Sequence, residues 1–185
     1  MPVQNTDPYP WPYDGEVRPE SLALVLAGWD EGWANRSRIV DQLQVHLRSL
    51  GEVIGSLGGA VITLHHAGAP LLDLFTPHRA VAAYGIDGFH GGPLDDVLRA
   101  EGRTHLVLAG YGLEAPIHST MRSANDRGYE CLLLTDLAAP LTDDLVAGAL
   151  SSVTMSGGIF GALGTSADLL AALPAHTPVP SQELP

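Results

Sequence analysis

Continuous apolar runs alternate along the chain with segments whose apolar positions recur at helical spacing. Residues 22–27, Leu-Ala-Leu-Val-Leu-Ala, run without a polar break to Gly28, as a strand buried on both faces does. Between 35 and 57, Ile39, Val40, Leu43, Leu47, Leu50, Val53, Ile54 and Leu57 keep a helical period, and Gly58-Gly59 stops it. Strands are predicted at 60–64, 80–84, 105–109 and 131–135, with a last short one at 159–162. Helices are predicted at 94–100, 114–127, 141–155 and 166–173. Pro116 falls at the expected start of the 114–127 helix, where a proline fits best.

Five or six such alternations predict an α/β fold: a mostly parallel five- or six-stranded sheet with helices on both faces and right-handed crossovers, a Rossmann-like three-layer sandwich. In such a sheet the crevice lies beyond the C-terminal strand ends. Those ends carry Gly28-Trp29-Asp30, His65-His66, Tyr84-Gly85, Gly110-Tyr111-Gly112 and Asp136. Residues 1–20 read as a Pro/aromatic-rich arm, because prolines at 8, 10 and 12 alternate with Tyr9, Trp11 and Tyr13 and favour an extended path. Its rings are expected to pack on the body or on a neighbouring subunit. Residues 21–174 form one domain, and 175–185 a mobile tail.

Composition narrows the chemistry. A net charge of −12 makes nucleic acid and anionic membranes poor partners. There is no run of about 18 apolar residues to span a bilayer, and residues 1–14 lack the basic and apolar regions of a signal peptide, so a cytoplasmic protein is expected. The single cysteine, Cys131, excludes an internal disulfide and a cysteine-based zinc cluster, and its apolar strand suits a buried structural thiol. All nine basic residues are arginines. With no lysine, a Schiff base, a P-loop lysine and an ammonium-assisted nucleophile are all excluded.

Several residues at the strand ends merit weighing. His65 and His66 are adjacent on an extended chain, so they point to opposite sides and rarely share a metal; one of them is a candidate base, and the plain alternative is an exposed and a hydrogen-bonded histidine. His118, in the first turn of its helix, is a candidate neutral base or a surface histidine. Asp30 is a candidate crevice carboxylate or a solvated loop residue, and Asp136 a cap. Trp29, Trp33, Tyr84 and Tyr111 either line the crevice or fill volume. The glycines at 85, 88, 91, 92, 110 and 112 do not form a dinucleotide fingerprint and read as turns. The eight histidines show no paired helical spacing, so no metal and no cofactor are expected.

The run Ser119-Thr120-Met121-Arg122-Ser123-Ala124-Asn125-Asp126-Arg127-Gly128-Tyr129-Glu130-Cys131 resembles the isochorismatase-like cysteine hydrolases, in particular their biuret-amidohydrolase branch. The opening 7–13 with Arg18-Pro19, the stretch 157–162 and the ending 166–174 resemble it too, so the likeness spans nearly the whole chain. It implies the family's α/β fold and assembly as dimers or tetramers. It also implies a site in which an aspartate, a lysine and a cysteine hydrolyse a small amide or urea. Matched position by position, those three fall on Gly28, Ala83 and Pro116. The resemblance therefore implies a degenerate member: a pseudoenzyme acting as a subunit of a homo-oligomer, as a partner of an active paralogue, or as a small-molecule binder. The alternative is cysteine-independent acid–base chemistry carried by Asp30, His65, His66 or His118.

Overall fold

In the computed structural model, residues 1–38, 42–73 and 79–174 are described. Six strands form one all-parallel sheet: β1 (Leu22–Ala27), β2 (Ala60–His66), β3 (Arg79–Ala83), β4 (His105–Tyr111), β5 (Glu130–Ala139) and β6 (Ala162–Gly164), in the order β3-β2-β1-β4-β5-β6. The predicted tail, 175–185, lies outside the described residues.

Every residue of β1 is fully buried, which is why the run carries no polar residue. On one face, Leu22, Leu24 and Leu26 meet Leu43, Leu47, Leu50 and Ile54 of α2 (Leu43–Ser56) and Leu169 of α6 (Ser166–Ala172). On the other, Ala23 and Val25 meet Leu94 and Leu98 of α3 (Leu94–Ala100), Met121 and Ala124 of α4 (His118–Asp126) and Val153 of α5 (Asp143–Thr154). The two faces alternate along the strand, as a pleat requires.

Three elements differ from the sequence reading. The segment expected as one helix over 35–57 is two: α1 (Glu31–Arg36) ends at Ser37, and α2 starts at Leu43. Asp30 caps the start of α1, its Oδ1 accepting from the Trp33 N–H at 3.0 Å, and Ser37, in extended backbone, ends it. The last strand is not at 159–162 but at Ala162–Gly164, because 157–161 is a glycine-rich turn. Strand β5 runs on to Ala139, with an irregularity where Leu108 pairs with Leu133 but Gly110 pairs with Ala138. Asp136 therefore lies within β5, and its carboxylate accepts from the Ser166 N–H and hydroxyl at the start of α6.

The arm packs on its own domain. Val3 and Trp11 pair across a bridge, Asp7 pairs with Leu163 of β6, and the fully buried Trp11 sets its ring edge-on to His105 at 5.7 Å. Trp11→Ala should therefore cost about 3–5 kcal/mol, as truncating a buried tryptophan does. Urea unfolding measures it, and an effect below about 0.5 kcal/mol, the usual range for surface changes, would make the arm an appendage.

Candidate functional site

The strand order reverses direction between β1 and β4, the point at which an open parallel sheet leaves a crevice. Gly28 follows β1, Ala83 ends β3, and Pro116 sits in a five-residue π-turn, Leu113–Ile117, that leads into α4. Far apart in sequence, the three line one cavity, together with Trp33, Leu64, His65, His66 and Thr120. Its volume is about 10 Å³, room for roughly one water molecule.

The backbone explains the closure. Gly28 has φ +65°, and a Cβ there would stand 2.6 Å from the Tyr111 carbonyl oxygen and 3.3 Å from Pro116 Cγ. Gly112, at φ +72°, lies so close to the Pro116 ring that a Cβ would meet its Cδ at 2.7 Å, with Trp33 Cε3 at 3.2 Å. Only glycine tolerates these approaches and this left-handed backbone without strain. The Pro116 ring and Trp33 fill the space between the two glycines, and proline brings no N–H to the helix start.

Residues 59–168 match the Isochorismatase domain. The chain belongs to the isochorismatase family. The streptothricin hydrolase of Streptomyces noursei is 33% identical over 170 residues, a match covering 76% of this chain and 66% of that protein, so this chain spans just under two thirds of its relative. A cysteine hydrolase from Pseudomonas syringae pv. phaseolicola superposes with a TM-score of 0.75 at 16% identity, covering 85% of this chain and 94% of that one. An isochorismatase family protein from Burkholderia thailandensis gives 0.73 at 21%, covering 85% and 97%. The nicotinamidase of Staphylococcus aureus gives 0.69 at 16%, covering 79% and 99%. At these identities the structures share the isochorismatase fold. Among the described residues no helix is long and apolar enough to cross a membrane.

Within this isochorismatase fold the sequence candidates separate. His65 and His66 reach the cavity. Burial, together with His66, holds His65 below the ordinary histidine range, against an upward pull from Asp30. Its Nδ1 is buried and has no hydrogen-bond partner among the described residues. Asp30 does not line this cavity and is no solvated loop residue. It is 1% exposed, and its second oxygen accepts from the His66 N–H at 3.0 Å, so both oxygens hold backbone. Trp29 lies in the core, its ring 6.0 Å from that of Tyr111, whose hydroxyl accepts from Gln44 Nε2 at 2.9 Å. Tyr84 stands exposed at the end of β3. Cys131 is buried beneath α4, and burial pushes its thiol far up, away from thiolate. Thr120 and Leu64, which the sequence does not single out as site candidates, complete the cavity wall; Thr120 Oγ1 accepts from the Gly88 N–H at 2.9 Å.

His118 turns away from the crevice towards α5. Arg122 Nε donates to its Nδ1 at 3.2 Å, which leaves the proton on Nε2, 2.6 Å from Ser152 Oγ. Burial first, and then the Arg122 charge, hold it below the ordinary value. His118 opens α4, in the first turn as the sequence places it, and the π-turn Leu113–Ile117 precedes it.

Two outcomes are expected. Gly28→Ala should cost about 1–3 kcal/mol from the left-handed backbone alone, read by chemical denaturation; a neutral result would show that the β1–β4 junction can relax. His65 and His118 both have folded-state values below 6.5, so the unfolded chain binds more protons in acid. Stability should be complete above about pH 6.5 and fall as pH drops towards the folded values. His118→Gln should reduce that fall in Tm between pH 7 and pH 5, and an unchanged pH profile would remove His118 from it.

Proposed function

We propose that this protein is a catalytically degenerate member of the isochorismatase family that serves as a subunit of an oligomer rather than as a hydrolase. One observation carries the reading: the positions that the family resemblance gives to aspartate, lysine and cysteine are Gly28, Ala83 and Pro116, and they meet in a cavity of about 10 Å³. An activated thiol needs a base and a cation beside it, and none of the three residues supplies a titratable group. A volume of about 10 Å³ has room for roughly one water molecule rather than for an amide or urea, which favours a subunit over a small-molecule binder at this point. The buried core on both sheet faces supports a retained folded role. Exposed Leu145, Met155 and Ile159, along and just after α5, suit contact with a second copy or with an active paralogue.

A second reading rests on His65, whose buried Nδ1, unpaired among the described residues, lies beside the cavity and suits a base in cysteine-independent chemistry. Mass in solution and hydrolysis of a panel of small amides and ureas, measured on one preparation, separate the two. The subunit reading expects a dimer or tetramer with no turnover. A Pro116→Cys, Ala83→Lys, Gly28→Asp variant, with its fold checked by circular dichroism, reports whether the crevice can regain activity. Turnover by the natural chain that His65→Ala abolishes would overturn the subunit reading in favour of the enzyme.

A further inference from the structure

The opposite end of the sheet holds a different constellation. His105 and Glu130 are the first residues of β4 and β5 and pair directly in register, so their side chains leave the same face of the sheet. The arm brings Asp14 over them. His105 Nε2 lies 3.0 Å from Asp14 Oδ1 and 3.8 Å from Glu130 Oε2, and all three donor atoms fall within 4.8 Å of one another. The imidazole is 6% exposed. The ion pairs recorded for Asp14 and for Glu130 among the described residues run to His105.

Two of the three groups are also held from behind. Thr104 Oγ1 sits 2.9 Å from His105 Nδ1 and can accept from it once Nε2 gives up the proton it shares with Asp14. The Tyr13 N–H donates to Glu130 Oε1, leaving Oε2 turned to His105. The Trp11 ring walls the imidazole edge-on. With that proton gone, three lone pairs converge on one point. A proton on Nε2 answers one contact at a time, whereas a divalent ion answers all three.

We propose that Asp14, His105 and Glu130 bind a divalent transition-metal ion, Zn²⁺ foremost, with water completing its coordination. Ligand atoms about 2.0–2.2 Å from Zn²⁺ stand a little over 3 Å apart, close to the two measured edges. The third edge closes by rotation of the Asp14 side chain, which is 57% exposed. An imidazole with two carboxylates suits Zn²⁺ over Mg²⁺, which prefers oxygen alone. Water has access, since a cavity of about 570 Å³, lined by Glu130, Tyr9 and Tyr13, opens alongside. Such an ion ties the arm to β4 and β5, away from the crevice, and stabilises the folded chain by mass action.

Chelator-stripped protein is titrated with ZnCl₂ by calorimetry, and metal content is read after gel filtration. The natural chain should retain one Zn²⁺ and gain in Tm, with no gain from MgCl₂. Asp14→Asn, at an exposed carboxylate, should weaken Zn²⁺ at least about tenfold. His105→Gln should abolish stoichiometric binding, and His46→Gln, at an exposed histidine, should leave it unchanged. If His105→Gln does not fold, Glu130→Gln replaces it with the same expectation. No stoichiometric Zn²⁺ in the natural chain, or binding that survives these ligand substitutions, overturns the proposal and leaves an ion-paired histidine. Neither outcome depends on turnover.

Discussion

Burial of β1 on both faces is the constraint on which the other elements depend. Its six residues expose nothing to solvent, so both sheet faces must be covered, and helices from both halves of the chain do it. Each large aliphatic side chain buried there contributes about 1.5–3 kcal/mol, more than a surface ion pair does. The same central position forces β1 and β4 into full register, from Leu22 opposite His105 to Ala27 opposite Gly110. That pairing brings the ends of the two strands together and sets the geometry of everything beyond them.

The crevice is closed by the same close approach. Where β1 ends, the chain turns through a left-handed Gly28 against the Tyr111 carbonyl, and the Pro116 ring takes the volume beside it. Asp30, two residues on, ties the α1 N-terminus to the β2 exit through its two oxygens. A carboxylate that secures two backbone N–H groups is a structural clip, and its removal would leave both donors buried. The strand-end loops thus hold one another in place around a space with no reacting group among Gly28, Ala83 and Pro116.

At the other end, the arm is integrated through Trp11, the Asp7–Leu163 bridge and the convergence of Asp14 on His105 and Glu130. The fold therefore presents two chemically distinct ends: a narrow crevice in which Gly28, Ala83 and Pro116 meet, and a polar cluster at the strand starts.

The sequence by itself determined the alternation of strands and helices, the parallel sheet and the family, because these rest on local periodicity and on a contiguous motif. It also determined that no lysine exists, and it named Gly28, Ala83 and Pro116 as positions to compare. Tertiary structure alone decided that these three share one cavity, that Asp30 and Trp29 are buried, and that His118 faces Ser152. It alone joined Asp14 to His105 and Glu130. The reason is physical. Periodicity records which side of an element is buried, whereas the partner of a polar group is set by strand register and loop path between residues far apart in the chain, and neither leaves a mark on the residues beside it.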